Sequence, residues 1–145
     1  MSGIVVGIDG SHHASRALEW AIAEAGVRKA DLTVLAINSV PQGYWTTNPV
    51  TLPGDKERVE EIRKSAQEDV DKAAAALGDQ QPKSVSVVAL SGFPAKQLIE
   101  ASETSDLVVV GSRGGGGFSA LFLGSVSNQV VHHAKCPVVV VPPAR

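Results

Sequence analysis

Apolar residues gather in five short runs: Ile4–Ile8 (IVVGI), 32–37 (LTVLAI), 85–90 (VSVVAL), 107–110 (LVVV) and Val138–Val141 (VVVV). Most are continuous rather than alternating. That pattern predicts strands covered on both faces, as in a parallel sheet. Between the runs the apolar spacing turns helical. Ser11 suits an N-cap, and Ala14, Leu18, Ala21, Ile22 and Ala25 then recur at three- and four-residue steps. From Asp55 onward, Val59, Ile62, Ala66, Val70, Ala73 and Leu77 form one stripe, with Gly78 placed as the C′ residue. Pro94 suits the first turn of a third helix carrying Ala95, Leu98 and Ile99. A fourth helix includes Val126, Val130 and Ala134, and Pro137 blocks its continuation.

The order is therefore β-α-β-α-β-α-β-α-β. Such alternation implies parallel strands joined by right-handed helical crossovers. At 145 residues the chain suits one domain, 1–145. Residues 41–55 hold Gly43, Tyr44, Trp45, Pro49, Pro53 and Gly54 and read as a long surface loop rather than a linker. The last run lies between prolines and is expected to be an edge strand.

Composition narrows the class. Apolar residues make up 43% of the chain but aromatics 4%, so the core must be aliphatic. A net charge of -2 does not suit a domain that grips nucleic acid through its phosphates. No apolar run approaches the ~20 residues that span a bilayer, and no secretory signal is visible, so no membrane association is expected. Cys136 is the one cysteine and has no disulfide partner within the chain, which points to the cytoplasm.

The candidate chemistry lies at Gly111-Ser112-Arg113-Gly114-Gly115-Gly116-Gly117, directly after the fourth run, and at Gly124-Ser125 beyond it. Glycines let a ligand approach the backbone closely. A loop of this kind that ends at a helix start aims N–H donors at an anion, and the helix dipole adds to the attraction. Phosphate is the natural anion. Ser112, Ser125 and Ser127 offer hydroxyls and Arg113 offers charge. The competing reading is a floppy linker, which the flanking strand and helix start oppose. A Walker A loop needs a Lys that is absent here, and a Rossmann glycine motif belongs after the first strand.

The pattern G-x-x-G, nine residues, then G-[ST] resembles the nucleotide-binding signature of universal stress proteins. Here it reads Gly111-x-x-Gly114, residues 115–123, then Gly124-Ser125. The resemblance covers nearly the whole chain. It includes Val5-Val6-Gly7-Ile8-Asp9-Gly10-Ser11, Asp106-Leu107-Val108-Val109-Val110-Gly111-Ser112, Leu123-Gly124-Ser125-Val126-Ser127 and the ending His133-Ala134-Lys135-Cys136-Pro137 with its valines. It is that of a single-domain member of the ATP-binding subgroup.

The resemblance implies a three-layer α/β/α sandwich of the adenine nucleotide alpha hydrolase-like kind. Its five-stranded parallel sheet would have the order 3-2-1-4-5. Ligands in such sheets bind outside the carboxyl ends of the strands where the order reverses, here between Asp9 and Gly111. By position, Asp9 would accept ribose hydroxyls or help hold a nucleotide-bound Mg ion. Backbone near Ile37 would meet the adenine edge. Val110, Gly111, Gly114, Gly124, Ser125, Val126 and Ser127 would line the ribose and phosphate site, with Arg113 at a variable position.

The implied function is adenine-nucleotide binding in stress-response regulation, with ATP, ADP, AMP or cyclic AMP held at the switch point. A homodimer through Val138–Val141 is implied as well. The alternatives are a nucleotide-free dimeric interaction module and a slow ATPase. An enzyme is not expected, because no general base is paired with an activated nucleophile. A receiver domain is excluded: it needs an Asp after strand three, where Leu90-Ser91-Gly92 stands. His12-His13 and His132-His133 lack spaced partners and read as surface or cap residues rather than metal ligands. Cys136 reads as a small packing residue.

Overall fold

A computed structural model of the chain describes residues 3–9, 12–39, 54–112 and 123–143, and, within the first helix, the side chains from Ser15 onward. Five strands alternate with four helices: β1 (Ile4–Ile8), α1 (His12–Arg28), β2 (Asp31–Ser39), α2 (Asp55–Ala75), β3 (Ser84–Gly92), α3 (Pro94–Ser102), β4 (Leu107–Gly111), α4 (Ser125–His133) and β5 (Val138–Val141). All pair in parallel in one sheet of order β3-β2-β1-β4-β5, as expected.

Period two sorts each strand's side chains between two cores. Ile4, Val6 and Ile8 point to one face with Leu32, Val34, Ala36, Leu107 and Val109. There α1 covers them with Ala17, Leu18, Ala21, Ile22 and Ala25, all buried, and α2 adds Ala66 and Val70. Val5, Leu35, Ile37, Val108 and Val110 point to the other face, beneath Leu98 of α3 and Val130 of α4. The short fully apolar strands β1 and β4 are thus covered on both sides, which is why their sequences do not alternate.

β3 departs from that expectation. Ser84, Ser86 and Val88 are exposed while Val85 and Val87 are half-buried. The cause is topological. α3 leaves β3 at once and packs over β1, β2 and β4, so the outer sheet edge keeps a helix, α2, on one face only.

Two helix ends also differ. α2 stops at Ala75 instead of running through Leu77 to a C′ glycine. Leu77 N–H donates to Ala74 O at 3.1 Å in a tighter turn, and the Gln81 amide donates to the carbonyls of Ala74 and Gly78, each at 2.8 Å. Gly78 does take a left-handed φ of 61°, two residues beyond the Ala76 cap. α4 ends at His133, and Ala134 is extended, before Pro137 can act. The buried Ser102 hydroxyl accepts the Lys135 N–H at 2.9 Å, which docks this turn onto α3. Ser11, expected as an N-cap, and residues 41–53 of the expected loop lie outside the described residues.

Gly26 lies within α1, where helix propensity alone favours Ala by about 1 kcal/mol. Its missing side chain admits the Gln80 carbonyl, with which a Cβ would collide. Gly26→Ala is therefore expected to lower unfolding free energy by about 1–3 kcal/mol in urea titration, the overpacking range, against the sign of propensity.

Candidate functional site

The carboxyl ends of β1, β2 and β4 open into a cavity of about 170 Å³. β1 contributes Gly7, Ile8 and the following Asp9. β2 contributes Ile37 and Ser39, which period two places on the α3/α4 face. β4 contributes Val110 and Gly111. The first turns of two helices close it: Pro94 with Leu98 from α3, and Gly124 through Ser127 from α4. The sheet order sets this arrangement. Chains leaving β1 and β4 turn to opposite faces, α1 to one and α4 to the other, and a crevice remains between them.

Eight residues expected at the site line this one cavity: Asp9, Ile37, Val110, Gly111, Gly124, Ser125, Val126 and Ser127. Arg113 and Gly114 lie outside the described residues. Sequence reasoning missed Ile8, Ser39, Pro94 and Leu98 as lining. The signal for Ser39 was its spacing of two from Ile37. The signal for Pro94 and Leu98 was the crossover itself, since a helix running from β3 to β4 must pass in front of β1.

The cavity has two chemical halves. Ile37, Leu98 and Val110 present aliphatic surface. The start of α4 also lines the cavity. Asn128 N–H donates to Gly124 O at 2.9 Å and begins the helical ladder. The amides of Ser125, Val126 and Ser127 precede it, and no side chain caps this end. Such first-turn donors, with the positive end of the helix dipole, attract anions. α3 also begins without a side-chain cap and carries Pro94 in its first turn. Asp9 is exposed at the mouth.

Backbone bonds fix the two walls. Ser112 N–H donates to Val141 O at 2.9 Å, and Gly124 N–H donates to Ser112 O at 2.7 Å. Ser127 is buried with its hydroxyl 3.1 Å from Ser112 O and 3.0 Å from Gly124 O. Asn38 at the end of β2 donates its amide to the Ser91 hydroxyl at 3.1 Å.

Other candidate groups stand apart from the cavity. His132 and His133 are exposed at the end of α4 with ring centroids 6.5 Å apart. Among the described residues no group of three or more His, Cys, Asp or Glu is placed to hold a metal ion. Burial pushes the Cys136 thiol above its ordinary value, and the Asp106 charge acts in the same direction against an opposing backbone hydrogen bond from Val108. A raised thiol holds less thiolate at neutral pH and is a poorer nucleophile. Among the described residues no helix is long and apolar enough to cross a membrane.

Parallel strands wound on both faces, with a crevice at the point of reversal, define a doubly wound α/β domain. The profile of the Universal stress protein family matches residues 1–142. This chain belongs to the universal stress protein family. A universal stress protein of Mycolicibacterium smegmatis is 32% identical over 139 residues, spanning 96% of this chain and 47% of the relative. One from Mycobacterium tuberculosis is 36% identical over 141 residues, spanning 94% and 43%. The chain thus covers a little under half the length of these relatives. Among solved structures, UspA of Lactobacillus plantarum superposes with a TM-score of 0.71 at 22% identity, over 97% of each chain. A universal stress protein in complex with cAMP gives 0.69 at 24% identity, over 98% of this chain and 96% of that one. The Archaeoglobus fulgidus protein in complex with dAMP gives 0.56 at 23%, over 97% of each.

Gly7 joins fold and site. A Cβ there would lie 2.7 and 2.9 Å from the two Leu98 methyl carbons, so the bare backbone lets α3 settle against β1 as the cavity's wall. Gly7→Ala is expected to cost about 1–3 kcal/mol of stability in urea. Leu98→Val should cost less in that background than in the wild type. Additive losses in the double-mutant cycle would show that the two do not touch.

Proposed function

We propose that the chain is an adenine-nucleotide-binding regulatory protein of the stress response, holding ATP or a related nucleotide (ADP, AMP or cyclic AMP) between β1 and β4. One observation carries this reading: a single cavity at the switch point joins an aliphatic half to an array of first-turn amides. A purine with its phosphates has the same two-part character. The base packs on Ile37, Leu98 and Val110, and backbone at Ile37 meets its polar edge. Asp9 accepts ribose hydroxyls. Gly111, Gly124, Ser125 and Val126 face the phosphates, with Arg113 and Gly114 completing the anion's surroundings. A Mg ion carried by the nucleotide would take its oxygens from phosphate, water and at most one lining carboxylate, Asp9. Family members solved with cAMP and with dAMP support adenine as the base.

Retention rather than turnover belongs to the same proposal. Asp9 is the one ionisable side chain among the described lining residues, and its proposed role there is to bind the ribose. Occupancy acts as a signal if two states of the protein bind the nucleotide with different affinity. A homodimer is also proposed, through the outer edge of β5. That strand is four consecutive valines, three of them half-buried, and carries no charge to repel a second strand. The cytoplasm as its compartment rests on the single cysteine.

Purified protein, denatured and chromatographed by ion exchange, is expected to release an adenine nucleotide, or the stripped protein to bind Mg-ATP in calorimetry. Absence of both overturns the reading. Gly114→Val is expected to abolish binding with circular dichroism and melting temperature near the wild type, because a branched Cβ blocks approach to the backbone. Retained binding would remove Gly114 from the site. Sedimentation at micromolar concentration is expected to give twice the monomer mass, and a monomer would remove β5 as an interface.

A further inference from the structure

Ser127 lines the cavity, yet its hydroxyl faces the protein rather than the cleft. The residue is 2% exposed. Its one O–H proton has two backbone acceptors in range, Ser112 O at 3.1 Å and Gly124 O at 3.0 Å. A serine hydroxyl donates once, so a proton committed to these carbonyls is not available to a phosphate oxygen. The two acceptors occupy telling positions. Ser112 directly follows β4, and Gly124 is the N-cap of α4. Ser112 O also accepts the Gly124 N–H at 2.7 Å, and Ser112 N–H is held by Val141 O of β5 at 2.9 Å. Without Ser127, that one amide bond is what remains, among the described residues, of the hydrogen bonds between Ser112 and the start of α4.

We propose that Ser127 is a positioning residue: its hydroxyl ties the first turn of α4 to the carboxyl end of β4, and so aims the amides of Ser125 and Val126 at an anion lying over Gly111. This rests on the nucleotide-binding reading above and adds to it. Ile37, Val110 and Leu98 of the aliphatic half come from β2, β4 and α3, outside the tied turn. Losing the tie loosens the amide array and weakens phosphate binding while leaving the base pocket formed. A merely structural role would weaken both halves together.

Thr and Val have nearly the same shape and differ in a hydroxyl, so Ser127→Thr and Ser127→Val separate the hydroxyl from the cost of an extra methyl. Two measurements decide. In ligand-free protein, amide hydrogen exchange at Gly124 should be about three- to tenfold faster in the Val variant than in the Thr variant, with Val6 and Val109 amides unchanged. In calorimetry, ATP affinity should fall by a similar factor in the Val variant relative to the Thr variant, while adenosine affinity stays within about twofold. Equal behaviour of the two variants, or equal loss for ATP and adenosine, overturns the proposal. If neither variant nor wild type binds ATP or adenosine, the nucleotide reading fails by itself, and Gly124 exchange alone decides for or against the tie.

Discussion

Pairing of β1 on both of its edges is the constraint from which the other elements take their places. β2 lies on one side and β4 on the other, with Ile4 opposite both Leu32 and Leu107. Right-handed crossovers then leave no choice of face. Moving outward from β1 to β2 and β3 puts α1 and α2 on one side. Returning across the sheet to β4 and β5 puts α3 and α4 on the other. The two cores and the crevice are consequences of the same reversal. So is the position of α3, whose long return over β1 brings Pro94 and Leu98 to the cavity although β3 lies at the sheet's edge.

Strand interiors were legible in the sequence because burial on two faces forbids polar residues. Val5, Val6, Val108 and Val109 are almost inaccessible to solvent, and the runs that contain them stand out without alignment. Helix stripes were legible for the same reason: Leu18, Ile22 and Ala25 follow from their spacing. Ends were less legible. Gly78 is a good C′ residue by local rules, but the side chain of Gln81, three residues further on, supplies the carbonyl caps and lets α2 finish earlier. Ala134 fits a helical stripe, but Ser102 on another helix captures the following amide. Both outcomes depend on partners outside the apolar stripe, three residues downstream for Gly78 and on another helix for Lys135. β3 shows the limit from another side: Ser84 and Ser86 alternate with Val85 and Val87 at its start, but Val88 on the same uncovered face carries no such mark.

The candidate site divides along a similar line. Its backbone elements were marked by glycine spacing, because a position that must stay bare leaves a residue type behind. Its side-chain wall was not marked. Leu98 reads as ordinary core, and it is core, packed with Val5 and Val108 as well as lining the cavity. Gly7 reads only as part of the motif around Asp9, but its structural reason is the approach of Leu98, which spacing alone does not reveal. Ser127 was read as one more hydroxyl for phosphate. Burial and two carbonyl neighbours give that hydroxyl a different task, which residue type could not disclose.

The two halves of the cavity also bear on what kind of chemistry suits it. Backbone amides and a helix dipole are fixed partial charges. They attract a phosphate chain, and they do so whether its terminal bond is intact or breaking. Interactions of that uniform sort deepen binding without lowering the barrier to reaction. Rate acceleration in phosphoryl transfer needs charge placed where it develops, commonly a Lys, an Arg or a firmly held metal at the transferred group. The described walls carry one carboxylate at the mouth, aliphatic side chains, and Ser39, Ser125 and Ser127. In the proposed function that lining serves to hold a nucleotide. In the proposed site, affinity then depends in part on how rigidly the amides are aimed. In the proposed site, anion binding is then a property of the β4–α4 junction, and whatever shifts that junction shifts occupancy.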